Sequence, residues 1–174
     1  ANTATLLTDS APGNWEYVSQ SGIPISTAVE YNTTVFWLLK DEDVSRFPTL
    51  WIYLNGGTQQ KTKVYANTQT GELTYTNNDI PGIETDRDGI WWKYIISLQN
   101  DNLNTSVQIW VFPAERNSSG ASDSNAQGSI ILGNMELHAG KTIAQVRGLG
   151  PIFTTTASAV STITEYDNDV ANSA

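Results

Sequence analysis

The sequence predicts an all-β protein, a β-sandwich or jelly roll, on three observations. Helical periodicity is scarce across the 174 residues. β-Branched and aromatic residues instead recur in short apolar runs, some alternating and some continuous. Gly, Asn, Asp and Pro break the runs at short intervals, as expected for strands joined by turns into two packed sheets. The length suits one domain with its own core.

Strands are expected at 14–20, 28–40, 49–55, 61–66, 73–77, 90–98, 106–113 and 129–139. The first carries Trp15 and Tyr17, which suit a packed edge strand. The second contains Val35-Phe36-Trp37-Leu38-Leu39, apolar on both faces, and so does the run Ile109-Trp110-Val111-Phe112. A strand with one wet face alternates, so these two are expected to be central or covered on the outside. Asp41-Glu42-Asp43 reads as a charged loop tip. In 49–55, Leu50, Ile52 and Leu54 share one face, and Trp51, Tyr53 and Asn55 the other. Asn55-Gly56-Gly57 supplies residues that tolerate positive φ. The stretch 61–77 reads as a hairpin around Asn67-Thr68-Gln69-Thr70-Gly71.

Residues 84–88 form a polar, acidic segment expected to turn, closed by Gly89. Trp91 and Trp92 follow on one strand and must point to opposite faces. Trp92, Tyr94, Ile96 and Leu98 are expected in the core, with Trp91, Lys93, Ile95 and Ser97 outward. In 106–113, Val107, Ile109 and Val111 oppose Gln108, Trp110 and Phe112. Residues 115–127 are small and polar, and a long mobile loop is expected there. Gly148-Leu149-Gly150-Pro151 punctuates the chain. The sandwich domain is therefore assigned to 1–150. A polar extension, 151–174, is expected to lie against its own domain or a neighbouring subunit.

Nine basic and 18 acidic residues give a net charge of −9. Such a surface repels nucleic-acid phosphates and anionic membranes, so neither is an expected partner. Cysteine is absent, which removes disulfides, thiolate metal sites and cysteine nucleophiles. No apolar run approaches bilayer-spanning length, and residues 1–4 carry no secretory-signal pattern.

Catalytic chemistry finds little footing. His138 stands two residues from Glu136 and shares its strand face, but nothing nearby completes a zinc site. Gly140-Lys141-Thr142 resembles the end of a phosphate loop, yet Met135 occupies the position of the required earlier glycine. No Gly-x-Ser-x-Gly elbow or HExxH helix occurs. Glu16, Glu30, Glu84, Asp86, Asp88 and Glu136 are candidate carboxylates for glycoside cleavage, but they fall mostly in loops and at strand ends. No catalytic residue is assigned and enzymatic activity is not expected. No cofactor is expected either. A structural calcium is the one candidate, with Asp41, Asp43, Asp79, Asp86 and Asp88 as hard loop ligands.

Six Trp, seven Tyr and four Phe are the remaining signal. Sugar C–H faces pack on flat rings, so aromatics on an open strand face beside polar loops are a carbohydrate-site candidate. Trp51, Tyr53, Trp91 and Trp110 are the candidate binding residues. The plainer reading is that they fill the second side of a sandwich or an intersubunit contact.

The order of these pieces carries a resemblance. A strand from Tyr31 to Lys40 precedes Asn55-Gly56-Gly57 and the turn Thr70-Gly71-Glu72-Leu73. Then come Gly89-Ile90-Trp91-Trp92-Lys93, a strand ending in Phe112-Pro113-Ala114, Gly133-Asn134-Met135-Glu136-Leu137-His138-Ala139-Gly140, and Pro151-Ile152-Phe153-Thr154-Thr155. From Trp15 to Thr156 this resembles the jelly-roll, carbohydrate-binding-module-like domain of bacteriophage virion proteins. That family's pattern reads roughly GWYR, P, GAQLE-G and YIPT. Here Trp92 stands for its usual Tyr, Asn134-Met135-Glu136-Leu137 for its Ala-Gln-Leu-Glu, and Phe153 near its Tyr. The resemblance therefore bears on fold and role, and no sugar-contacting residue is carried over from it.

The resemblance implies a non-catalytic capsid decoration, fibre or tail protein on the virion surface, assembled in the host cytoplasm. Its implied partners are other copies of itself, other virion proteins and host surface glycans. A carbohydrate-binding module of a polysaccharide-degrading enzyme is the alternative. A polysaccharide lyase or glycosidase of similar fold is a third reading.

Overall fold

The computed structural model describes residues 4–75, 82–149 and 163–166, with backbone alone for 82–88 and 163–166. In chain order the strands are β1 (Thr5–Asp9), β2 (Trp15–Pro24), β3 (Tyr31–Leu39), β4 (Arg46–Asn55), β5 (Gln60–Ala66), β6 (Leu73–Tyr75), β7 (Gly82–Asp88), β8 (Trp91–Gln99), β9 (Ser106–Asn117) and β10 (Gly128–Ala139). A one-turn helix, α1 (Ile143–Val146), and β11 (Ile163–Tyr166) follow.

The strands form two antiparallel sheets, ordered β1-β10-β3-β8-β7 and β11-β2-β9-β4-β5-β6. Packed face to face they make a β-sandwich. The pairings β1 with β10, β2 with β9, β3 with β8 and β4 with β5 nest inside one another along the chain.

The core follows from the period of two. Leu50, Ile52 and Leu54 of β4 meet Val107, Ile109 and Val111 of β9 on the inner face of the six-stranded sheet. Phe36 and Leu38 of β3 with Tyr94, Ile96 and Leu98 of β8 face them from the five-stranded sheet. Trp92 packs at the rim of this cluster, and its Nε1 donates to the Thr68 carbonyl at 2.7 Å. The core expectations for β4, β8 and β9 therefore hold.

The outer face of the five-stranded sheet departs from expectation. Ile95, Lys93 and Ser97 are almost wholly buried rather than outward-facing in solvent. A second apolar cluster of Val35, Trp37, Ile95 and Val146 covers them, with Trp91 and Ile143 packed alongside. The cover is the segment around α1. Gln145 Oε1 accepts the Thr142 N–H at 2.9 Å at its start. The Lys93 ammonium donates to the carbonyls of Val146, Arg147 and Leu149 at its end. A cation there satisfies the orphan carbonyls of a helix C-terminus. The two-faced apolar pattern of β3 thus has its predicted outer cover.

Two further expectations are corrected, and one strand is added. Residues 82–88 are not a turn but β7, paired with β8 along its length. Strand β1, unforeseen, adds to the edge of β10. Residues 115–127 are not an open loop. β9 continues to Asn117, whose Oδ1 accepts the Ser119 and Ala121 N–H groups, and Arg116 bridges to Ser122. The Asn125 N–H and the Asn117 amide donate to Asp123 and hold its carboxyl below the usual range. In the extension, 163–166 pairs with β2 of its own sheet; the rest of 151–174 lies outside the described residues.

Candidate binding face

The outer face of the six-stranded sheet is built by alternation on four strands. Tyr17 comes from β2, Trp110 and Phe112 from β9, Trp51 and Tyr53 from β4, and Lys61, Lys63 and Tyr65 from β5. Register brings them together: Trp51 lies opposite Trp110 on one side and opposite Lys63 on the other. Tyr53 lies opposite Lys61.

The rings form a column across the strands. Tyr17 and Trp110 stack at 4.9 Å between centroids with planes 9° apart. Trp110 and Trp51 stack at 5.4 Å and 6°. Parallel rings this close cannot lie flat and coplanar on the sheet, because they would interpenetrate. They overlap instead as offset stacks, the favoured aromatic geometry. Trp110 is the middle ring, stacked by Tyr17 and by Trp51. Tyr53 flanks the column, 5.5 Å from Trp51 and 5.8 Å from Trp110, with its plane turned by 52° and 47° from theirs.

A cation closes the column. Lys63 Nζ lies 4.2 Å from the Trp51 centroid and pairs with Glu115. Glu115 is fully buried, and it also accepts from Ser122 Oγ at 3.0 Å. Burial holds the Lys63 ammonium below the ordinary lysine range, and the neighbouring Glu115 opposes that shift. Arg116 stacks on Tyr65 at 4.4 Å and approaches Glu115 at 4.0 Å. A shallow depression of about 160 Å³ opens beside the column, lined by Trp51, Tyr53, Lys61, Thr62 and Lys63.

Of the four predicted binding residues, Trp51, Tyr53 and Trp110 share this face. Trp91 does not. It lies on β8 of the opposite sheet, packed with the cluster under α1, with its ring against Gly133. One platform of all four is therefore excluded, because Trp91 and the other three stand on opposite sides of the sandwich. Tyr17, Phe112 and Lys63 were not foreseen as members. Their alternation was visible, but their placement depends on which strands pair.

The remaining candidates are engaged elsewhere. Asp41 Oδ2 accepts from the buried Arg46 at 2.8 Å, and Asp41 Oδ1 accepts from Thr68 Oγ1 at 2.9 Å. Asp43 accepts from Ser45, and its carboxyl is held below the usual range by those hydrogen bonds and by Arg46, against a desolvation that raises it. These two carboxylates thus surround a guanidinium. Asp79 and the side chains of Asp86 and Asp88 lie outside what is described. Among the described residues, no group of three His, Asp or Glu side chains is placed to hold a metal ion. His138 Nε2 and Glu136 Oε2 are 3.0 Å apart on the outer face of β10, half-buried beside Asn134. No protein-family model matches the chain, and no curated protein matches it.

Proposed function

We propose that the protein is a non-catalytic virion surface protein of jelly-roll type, a head decoration or a fibre or tail component. In this reading the outer face of its six-stranded sheet contacts host surface glycans. The observation that carries the contact role is the column Tyr17–Trp110–Trp51, held half-buried on a sheet face rather than between the sheets. Support for the jelly-roll reading comes from the nested pairing of β1 with β10, β2 with β9, β3 with β8 and β4 with β5. The virion assignment rests on the order of motifs from Trp15 to Thr156.

Sedimentation tests the assignment. Purified protein is expected to form oligomers and to cosediment with particles from lysates of the producing host. A protein that stays monomeric and never sediments with particles contradicts it. A carbohydrate-binding module of a polysaccharide-degrading enzyme would use the same face. That second reading predicts affinity for a soluble polysaccharide without affinity for particles.

A further inference from the structure

We infer that the depression beside Trp51 and Tyr53 is a subsite for one acidic sugar residue, with Lys61 as the cation that selects its carboxylate. This rests on the reading of the six-stranded outer face as the contacting surface, and it names the ligand class.

The chain carries 18 acidic and nine basic residues, yet Lys61, Lys63 and Arg116 all stand on this one face. Glu115 is shared by Lys63 and Arg116. Among the described residues Lys61 makes no ion pair, and it is exposed at the mouth of the depression. An acidic ligand repelled by the rest of the surface thus meets an available ammonium here.

Shape and chemistry agree with charge. At about 160 Å³ the depression is below the roughly 300–1,000 Å³ of pockets for larger ligands, which leaves room for a single ring. Tyr53 lies directly opposite Lys61 in register, so an apolar ring and a cation flank the same space. A uronic or sialic acid presents that pair of features: a C–H face for the aromatic and a carboxylate for the ammonium. A neutral sugar would leave Lys61 unused. Lys63 is not the selecting group, because its charge is already answered by Glu115 beneath Trp51.

The test compares trigalacturonate with galactotriose, and a sialylated with an unsialylated lactose, by calorimetry at low salt and in 1 M NaCl. The acidic member of at least one pair is expected to bind about tenfold tighter at low salt, and high salt should erase most of the difference. Lys61→Glu should abolish the preference and Lys61→Arg should keep it. Lys61 is exposed, so neither change should alter the circular dichroism spectrum. Equal binding of acidic and neutral members, or a preference that survives Lys61→Glu, overturns the inference while leaving a glycan-contacting face intact. If no sugar of either class binds but the protein still cosediments with particles, the inference falls and the virion role stands. If it neither binds nor cosediments, both fall.

Discussion

Lys63 Nζ sits 4.2 Å from the centroid of Trp51 and pairs with a carboxylate, Glu115, that has no exposed surface. A buried acid beneath a surface stack is costly unless it fixes something. Here it fixes the lysine that closes the aromatic column. Glu115→Ala would strand that ammonium in a site that already disfavours its charge. We expect a loss of about 2–3 kcal/mol in urea unfolding, less than the ~3–5 kcal/mol of a fully buried broken pair because Lys63 keeps some exposure. A midpoint unchanged from wild type would mean that the pair does not support the face.

Trp110 has a parallel ring on either side, Tyr17 and Trp51. Trp110→Ala removes both stacks at once. The expected cost is about 2–3 kcal/mol, below the ~3–5 kcal/mol of a fully buried aromatic, together with a change in the near-ultraviolet circular dichroism. Tyr53→Ala, tilted against the side of the column with no parallel stack of its own, should cost less than half as much in the same unfolding experiment. Equal costs would show that the rings do not act as an ordered stack.

Asp9 gives the fold an unusual pH dependence. Burial raises its carboxyl to about 6, against a hydrogen bond from the Glu16 N–H that lowers it, and the Glu16 carboxylate adds to the rise. The folded chain therefore holds this proton more tightly than the unfolded chain. The Asp9 contribution is fully present below about pH 4 and is lost as pH rises through 6, at most on the order of 3 kcal/mol. Asp9→Asn should match or trail wild type at pH 4 and exceed it at pH 8. The check is urea unfolding at both pH values; an offset independent of pH would contradict it.

Gly71 turns the β5–β6 hairpin at φ +81°, and a Cβ there would fall 2.6 Å from the Trp92 ring. Gly71→Ala thus combines a left-handed backbone penalty with a clash against a ring that is itself tied to the Thr68 carbonyl. We expect a loss of about 2–3 kcal/mol and a clear drop in Tm. Gly13→Ala is the control: its φ is also positive, +90°, but nothing lies within 4 Å of the added Cβ, so only the backbone part should remain.

The alternation of Leu50-Trp51-Ile52-Tyr53-Leu54 and of Val107 to Phe112 made the two faces of β4 and β9 legible, because side-chain period depends only on local geometry. What covers a face is not local. Trp91 looks as available as Trp51 along its own strand, and only the four residues of α1, too few to show a helical period, reveal the second layer over it. Strand β7 was hidden for a related reason. The segment Ile83-Glu84-Thr85-Asp86-Arg87-Asp88 is poor in strand formers, and pairing with β8 overrides that composition. Tyr17 joins the column through the β2–β9 register, which spans most of the chain and leaves no trace in either strand alone.

The proposed function places contact on the outer face of the six-stranded sheet and not on the tryptophan of the other side. Binding of Tyr53→Ala and Trp91→Ala to host surface polysaccharide, each confirmed folded and compared with wild type, tests this most directly. Tyr53→Ala is expected to lose at least about tenfold in affinity, while folded Trp91→Ala binds as wild type does. Loss of binding in Trp91→Ala with full retention in Tyr53→Ala would contradict it.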